Sequence, residues 1–148
     1  MTTDAIGATN RRTPWHFWLV AATSLLWNGF GGYDYTMSHL QGEAYYRQMG
    51  MTEAQIALMA SFPVWMHAVW AIGVWGSVVG SILLLLRMRW AFHAFALSTL
   101  GAVGSLIYNL VTPAAAAAMS PVMPAVIVVI CLVFVWYAWT MTKRGVLR

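Results

Sequence analysis

Four long apolar runs limit the folds that are open to this chain of 148 residues. A helix needs about 20 apolar residues to cross the hydrocarbon core of a membrane. Backbone groups in lipid must also be hydrogen-bonded within their own segment, which an uninterrupted helix achieves. The runs therefore predict four membrane-spanning helices, at about residues 15–35, 62–86, 90–111 and 122–141.

The composition agrees with this prediction. Hydrophobic residues make up 61% of the chain and charged residues only 8%, whereas soluble domains average roughly 45–50% and about 25%. A short soluble chain could not bury so much apolar surface, so the lipid bilayer is the expected surrounding. The predicted fold class is all-α: an integral membrane four-helix bundle over residues 14–142, with tails at 1–13 and 143–148.

The Lys and Arg residues predict the orientation of the bundle. With the loops assigned alternately to the two sides, Arg47 is alone on its side among the 8 basic residues. The basic residues on the other side are Arg11, Arg12, Arg87, Arg89, Lys143, Arg144 and Arg148. Cytoplasmic loops carry the excess of Lys and Arg. Both tails and the turn at 87–89 are therefore expected in the cytoplasm, and Trp and Tyr near the ends of the spans fit the same boundaries.

The segment from residue 37 to 61 is the one sizeable predicted loop, on the outer side. Within it, Thr52 and Gln55 have the spacing of a capping box, in which each side chain satisfies a free backbone amide. The apolar residues that follow predict a short outer amphipathic helix before Pro63, or else the exposed first turns of the second span. The alanine run between Pro113 and Pro121 can form only a short helix, because proline limits its length.

Small residues cluster on the two middle spans. The link between these spans is so short that they must form an antiparallel hairpin. Small residues at a spacing of four let helix backbones approach closely in lipid, so we expect the small faces to meet; the same faces can also support a homo-oligomer. These residues are Gly73, Gly76, Ser77, Gly80 and Ser81 on the second span, and Ser98, Gly101, Gly104 and Ser105 on the third.

Polar residues inside a bilayer are costly and are therefore candidates for function. Four of them, on three predicted spans, form a candidate polar site: Asn28, Asp34, His67 and Asn109. Counted from the ends of the spans they have a similar depth toward the outer face, which predicts a shallow pocket open to that side. The alternative interpretation is structural. The amides then hydrogen-bond between helices, at about 0.6 kcal/mol per contact, and Asp34 caps its helix.

The sequence contains no pattern typical of soluble catalysis. It lacks Cys/His metal spacing, a phosphate-binding glycine loop and a nucleophile motif. We therefore expect no enzyme activity, no catalytic residue, no cofactor and no metal. Cys131 is expected to be a small buried hydrophobe. Haem ligation needs two axial groups at one depth, and the pairs His16–His93 and His39–His67 keep that alternative open.

Residues 14–18 (PWHFW), 26–37 (LWNGFGGYDYTM) and 62–65 (FPVW) together resemble a family of small, uncharacterised bacterial inner-membrane proteins. The resemblance covers most of the chain, from Pro14 to Arg148. Members are often labelled "sugar transporter", so the resemblance implies a bacterial cytoplasmic membrane location and at most transport. It supplies no binding residues. Small multidrug transporters also have four helices but place a glutamate in the first span, where this chain has no carboxylate before Asp34.

Two classes of function remain open on the sequence. One is a small-solute, sugar-like transporter that uses the candidate polar site. The other is a non-transporting accessory or structural subunit of a membrane complex. Four helices make a thin wall around an aqueous path, so a carrier is expected to be a homo-oligomer or part of a larger complex. The small-molecule ligand is unknown, and the scattered basic residues form no stripe that a nucleic acid could follow.

Overall fold

Seven helices follow one another in residues 13–148, the part of the chain that this computed structural model describes, and no strand occurs there. Four are long: α1 (Trp15–Gln41), α4 (Val64–Leu85), α5 (Trp90–Val111) and α7 (Val122–Lys143). Three are short and lie in the connections: α2 (Glu43–Gln48), α3 (Glu53–Ala60) and α6 (Pro113–Ala118). The prediction of an all-α fold is confirmed. Most of the predicted N-terminal tail, with Arg11 and Arg12, lies outside the described residues.

Within the described residues, three helices are long and apolar enough to cross a membrane: α4, α5 and α7, each of 22 residues. At about 1.5 Å of rise per residue, each is roughly 33 Å long, which matches the thickness of a hydrocarbon core. α1 has 27 residues, and so has the length, but it is less apolar because its middle carries Ser24 and Asn28. Three of the four predicted segments thus have the length and apolar composition of membrane-spanning helices.

Two predicted boundaries need correction. α1 continues well beyond residue 35, because no proline intervenes and the hydroxyl of Thr36 donates to the carbonyl of Gly32 at 2.7 Å within the helix. It ends where Gly42 adopts a φ of 55°, a left-handed conformation that glycine reaches without a steric penalty. The second predicted span starts slightly early, since Pro63 precedes α4.

The predicted capping box is present at the start of α3. Thr52 Oγ1 accepts the backbone N–H of Gln55 at 3.3 Å, and Gln55 Oε1 accepts the backbone N–H of Thr52 at 2.9 Å. Ser61 and Pro63 separate α3 from α4, so the short helix is an element of its own and not the first turns of the second span. Gln55 Nε2 also donates to the carbonyl of Ala118 at 3.2 Å, which joins α3 to α6.

The long helices pack in the order α1, α4, α5, α7, and each runs antiparallel to the next. At one end α1 also reaches α7, where His16 Nδ1 lies 3.0 Å from the hydroxyl of Tyr137. This end carries the α4–α5 turn and the end of α7, and we call it the basic end. The opposite end carries α2, α3 and α6, and we call it the loop end.

The α4–α5 hairpin is held by close contact between small residues, as the sequence predicts. A Cβ added to Gly101 would lie 2.6 Å from the backbone nitrogen of Gly73, so the interface leaves no room for a side chain there. Ser98 Oγ donates to the carbonyl of Gly73 at 2.5 Å. One member of the predicted small face needs correction: Ser81 bonds instead to Ser24 of α1, because it lies on the other side of α4.

The C-terminal segment is packed against the basic end. Val146 and Leu147 are 3% and 2% exposed and belong to the cluster of buried apolar side chains there. The backbone N–H of Arg148 donates to the carbonyl of Arg87 at 2.7 Å, and the carbonyl of Arg148 accepts the N–H of Arg89 at 2.9 Å. The tail predicted at 143–148 therefore holds the end of α7 against the α4–α5 turn.

Candidate functional site

Asn28 lies in a buried polar cluster between α1 and α4. Its side-chain amide donates to Ser81 Oγ at 2.8 Å and to Ser24 Oγ at 3.3 Å. The two hydroxyl oxygens are 2.7 Å apart, and all three side chains are buried. We call Ser24, Asn28 and Ser81 the amide–serine cluster. It joins the two helices through hydrogen bonds that are shielded from the surroundings.

The protons of this cluster can be assigned from its geometry. Ser81 donates its hydroxyl to the carbonyl of Ser77 at 2.8 Å. A hydroxyl has a single proton, so Ser24 must be the donor in its bond to Ser81. The Ser81 oxygen then accepts from Ser24 and Asn28, which occupies both of its lone pairs. The hydroxyl of Ser81 therefore has no capacity left for a solute.

Asp34 lies farther along α1, and its carboxylate holds α2 in place. The hydroxyl of Tyr45, a buried side chain of α2, donates to Asp34 Oδ1 at 2.9 Å. Burial, with smaller contributions from this hydrogen bond and from the negative charge of Asp34, raises the pKa of Tyr45 to about 12. The phenol is thus neutral at physiological pH and remains a donor to the carboxylate.

His67 belongs to an aromatic group between α1 and α4 at the loop end. The ring of His39 has its centroid 5.5 Å from that of His67 and 5.6 Å from that of Trp70. Tyr35 stacks on His39 at 4.2 Å and meets the edge of Trp70 at 4.9 Å. We call Tyr35, His39, His67 and Trp70 the aromatic–histidine cluster. His39 Nδ1 lies 2.9 Å from the carbonyl of Tyr35, and a carbonyl only accepts, so Nδ1 carries a proton.

Two buried polar atoms at the loop end, His67 Nδ1 and Asn109 Oδ1, have no hydrogen-bond partner within the described part of the chain. A buried polar atom without a partner costs about 1–3 kcal/mol, so each such atom requires an explanation. Asn109 follows Tyr108, whose ring packs against Phe62 and Trp65 at 5.4 and 5.6 Å. The two atoms therefore lie on neighbouring helices near the loop end.

The structure distributes the four predicted site residues over separate places. Asn28 contacts Ser81, which lies about four helical turns, or roughly 20 Å, from His67 along α4. Asp34 is bonded to α2, while His67 and Asn109 have buried atoms without partners. Asn28 is thus not brought to the level of His67, because α1 and α4 are staggered in a way that the lengths of the spans did not reveal.

Ser24 belongs to the polar cluster but is not among the site residues predicted from the sequence. Serine is common in membrane helices and carried no signal of its own. A usable signal was the spacing of Ser24 and Asn28, since residues four apart lie on one face of a helix. That spacing predicts one polar face on α1. It does not reveal that Ser81 of α4 would be the partner.

A cavity at the basic end was also missed. It has a volume of about 320 Å³ and lies between the start of α5 and the end of α7. The residues that line it are Arg89, Trp90, Phe92, His93, Trp139 and Thr142. In the sequence, Arg89 indicates only the orientation of the chain, and Trp90 indicates only a membrane boundary. Their common position on one cavity depends on the packing of α7 beside α5.

Within residues 13–148, no group of three or more His, Cys, Asp or Glu side chains is placed to hold a metal ion. His16, one of the residues considered for haem, bonds to Tyr137. Cys131 is buried, as predicted.

The fold and these sites together indicate a membrane protein. Its long helices expose large apolar side chains, such as Leu26, Leu100 and Trp136, while the amide–serine cluster is enclosed between helices. That arrangement suits a lipid surrounding, in which polar groups must find partners inside the protein. Comparison of the chain with protein-family models, with curated proteins and with solved structures finds no match.

Proposed function

We propose that the chain is a multi-pass protein of the bacterial inner membrane that crosses it four times. The support for a fourth span is the packing of α1 along α4. Contacts join the two helices from Ser24–Ser81 near the basic end to His39–His67 at the loop end. A helix in contact with a membrane-spanning neighbour over this length crosses the same layer. Its polar groups are tolerated because they hydrogen-bond within the protein.

We further propose that both termini are cytoplasmic. The support is the distribution of charge, since the basic end carries Lys143 and the arginines at 87 and 89, whereas Arg47 lies at the loop end. The positive-inside rule then assigns the basic end to the cytoplasm. The bacterial inner membrane is proposed as the location because residues 14–18, 26–37 and 62–65 resemble a family of small bacterial inner-membrane proteins.

Single-cysteine labelling tests this topology. In a Cys131→Ser background, Thr13→Cys, Met88→Cys and Ser120→Cys are exposed to a membrane-impermeant maleimide in spheroplasts. We expect labelling of Ser120→Cys in intact spheroplasts, and of the other two only after permeabilisation. If α1 does not cross the membrane, Thr13→Cys will be labelled together with Ser120→Cys. Labelling of Met88→Cys from outside would contradict the proposed orientation.

Our proposal for the activity is a non-transporting accessory or structural subunit of a membrane complex. The observation that carries it is the amide–serine cluster. Asn28, chosen from the sequence as a site residue, uses its amide to hold α1 on α4, and Ser81 has no remaining bonding capacity. Polar groups used in this way stabilise a helix bundle, and the side-chain N–H groups of Asn28 and the hydroxyl of Ser81 are not available to a solute.

Native purification tests the accessory role. The tagged chain, expressed at its natural level, is purified in mild detergent, cross-linked and separated by size exclusion. We expect a second membrane protein at a fixed ratio to the chain. The variant Asn28→Ala should lower the yield of folded chain and leave that ratio unchanged. Elution of the chain alone, or as a homo-oligomer without a second protein, would count against the proposal.

A small-solute, sugar-like transporter is the second candidate, and one observation favours it. His67 Nδ1 and Asn109 Oδ1 are buried without partners in residues 13–148. His67 belongs to the aromatic–histidine cluster, and Asn109 follows Tyr108, whose ring packs against Phe62 and Trp65. A few polar groups among aromatic side chains are typical of small-molecule sites. A sugar hydroxyl can donate to Asn109 Oδ1, and an aromatic ring can cover the apolar face of a sugar.

Uptake into proteoliposomes separates the two candidates. The purified chain is reconstituted and supplied with labelled monosaccharides, with empty liposomes as the reference. A transporter should lose uptake in His67→Ala and in Asn109→Ala while both variants keep the melting temperature of the wild type. Ser24→Ala is the control, because it removes a polar group from the amide–serine cluster and should alter stability without altering uptake. Absence of uptake for every sugar supports the accessory role.

A further inference from the structure

The cavity between α5 and α7 at the basic end is lined by cationic, polar and aromatic side chains. Arg89, Trp90 and His93 contribute from the start of α5, and Trp139 and Thr142 from the end of α7. We propose that this cavity, the α5–α7 cavity, binds the head group of an anionic phospholipid. Its volume of about 320 Å³ is at the lower limit of the usual range for small-molecule sites and suits a phosphate with a small polar substituent.

Charge favours an anionic occupant. The exposed guanidinium of Arg89 can hold a phosphate through two parallel hydrogen bonds. No acidic side chain within residues 13–148 lies at this end, since Asp34, Glu43 and Glu53 belong to the part of the chain near the loop end. There Arg47 forms ion pairs with Glu43 and Glu53 at 2.6 and 2.8 Å. Among residues 13–148, no acidic side chain is placed to pair with Arg89 in this way.

Three further side chains suit a phospholipid head group. Lys143 Nζ lies 4.5 Å from the centroid of the Trp139 ring, a cation–π contact that keeps a second positive charge at the rim of the cavity. Thr142 donates its hydroxyl to the carbonyl of Ala138 at 2.8 Å, so its oxygen is still able to accept from a head-group hydroxyl. His93 adds a ring nitrogen that can donate to a phosphate.

The surface beyond the cavity favours a lipid over a soluble phosphate compound. Trp90 and Trp139 are 65% and 46% exposed, and exposed Trp is typical of the boundary between lipid and water. At helical spacing from His93 and Trp139, further exposed apolar side chains follow toward the loop end. They are Leu97 and Leu100 on α5, and Leu132 and Trp136 on α7. Acyl chains can lie on these side chains while the phosphate occupies the cavity.

Native mass spectrometry of the full chain with defined lipids tests the proposal. The delipidated protein in neutral detergent receives phosphatidylglycerol or phosphatidylcholine with the same acyl chains, and the bound fraction is measured against lipid concentration. We expect tighter binding of phosphatidylglycerol. Arg89→Gln should weaken that binding about tenfold, as expected for the loss of a charge-assisted hydrogen bond, while Arg89→Lys should retain part of it. Arg89 is exposed, so the melting temperature should not change.

The matched control is Arg47→Gln, which removes one positive charge from the opposite end. It should leave the affinity for phosphatidylglycerol unchanged. An equal loss in Arg47→Gln and Arg89→Gln would overturn the proposal, because the attraction would then depend on net charge alone. Equal binding of the two lipids would also overturn it. A further arm uses glycerol 3-phosphate: if it displaces the lipid at equal concentration, the site holds a soluble phosphate compound and the lipid proposal is wrong.

Discussion

The side-chain amide of Asn28 donates to Ser81 across the interface between α1 and α4, at 2.8 Å and at a separation of 53 residues in the chain. The same amide donates to Ser24, one turn away on its own helix. A single polar side chain therefore connects the least apolar long helix to a neighbour that can cross the membrane. The predictions that follow concern this contact, the α4–α5 interface, the basic end and the loop end.

Replacing Asn28 by Ala should lower the free energy of unfolding by about 1 kcal/mol, because two hydrogen bonds between buried groups are lost. In a double-mutant cycle with Ser81→Ala, the coupling energy should be about 0.6 kcal/mol and at most about 1.7 kcal/mol. Unfolding by SDS in mixed micelles measures both values. Asn109→Ala is the matched control. The Asn109 Oδ1 atom has no partner in residues 13–148, so this variant should not be destabilised, and an equal loss at both positions would contradict the assignment.

Replacing Gly101 by Ala should destabilise the protein by about 1–3 kcal/mol, the usual effect of overpacking. The added Cβ would lie 2.6 Å from the backbone nitrogen of Gly73, and backbone atoms cannot rotate away as a side chain can. Gly29→Ala is the control on α1, since nothing lies within 4 Å of its added Cβ. It should stabilise the helix by about 0.5–1 kcal/mol. In thermal denaturation in detergent, Gly101→Ala should lower the melting temperature and Gly29→Ala should raise it. A shift in the same direction for both variants would exclude the tight contact as the cause.

At Arg87, glycine should be tolerated better than alanine. Arg87 has a φ of 60°, a left-handed conformation that costs a residue with a Cβ roughly 1–2 kcal/mol. Its Nε donates to the carbonyl of Val146 at 3.2 Å. Both Arg87→Ala and Arg87→Gly lose this hydrogen bond, but only Arg87→Gly relieves the steric strain of the positive φ. We expect Arg87→Gly to be more stable than Arg87→Ala by about 1 kcal/mol, measured by the same denaturation.

Gly145 offers a parallel test at the end of α7, where its φ is 69°. Gly145→Ala should cost about 1 kcal/mol for the same steric reason. It should also loosen the C-terminal segment, which Arg148 joins to the α4–α5 turn. Faster amide hydrogen exchange at Arg89, whose N–H donates to that segment, would report the loosening. Unchanged exchange at Arg89 would show that the docking does not depend on this turn.

The phenol of Tyr45 should lose its proton at a higher pH than an ordinary tyrosine. Burial, together with smaller contributions from the hydrogen bond to Asp34 and from its negative charge, raises the pKa of Tyr45 to about 12. A pKa above the usual value near 10 means that folding favours the protonated phenol. Its contribution to stability is thus fully present below pH 10 and is lost as the pH rises from about 10 to 12. The absorbance of tyrosinate measures the titration. Tyr45→Phe should remove the late step, and Asp34→Asn should move it to lower pH.

The extent to which the sequence predicted the fold differs between elements. The bounds of α5, the capping box at Thr52 and Gln55, and the close approach of Gly73 and Gly101 follow from local spacing, and the structure contains all three. The sequence predicts the end of α1 too early, because the polar residues after Tyr33 are typical of the end of a span. The hydroxyl of Thr36 instead donates to the carbonyl of Gly32 within the helix. The helix continues to Gln41 and ends where Gly42 adopts a positive φ.

The candidate site was less predictable than the fold. Depth counted along each helix suggested that Asn28 and His67 lie at one level, since the count assumes that all spans begin in the same plane. The stagger of α1 against α4 instead sets Asn28 beside Ser81. His39, considered outside the membrane core, stacks on Tyr35 and faces His67 because α1 is longer than its apolar run. Neither contact can be predicted from the spacing of residues within a single helix.

The helical structure of this chain and its suitability for lipid follow from the amino-acid sequence alone. The length of an apolar run and the need to satisfy its backbone hydrogen bonds are properties of each segment alone. Both can therefore be predicted without knowledge of the neighbouring helices. Tertiary structure decided which polar groups meet and which are left without partners. It buried Val146 and Leu147 at the basic end, bonded Asn28 to Ser81, and brought Arg89 and Trp139 to one cavity. These outcomes depend on the stagger and rotation of packed helices, which are set by side chains far apart in the chain.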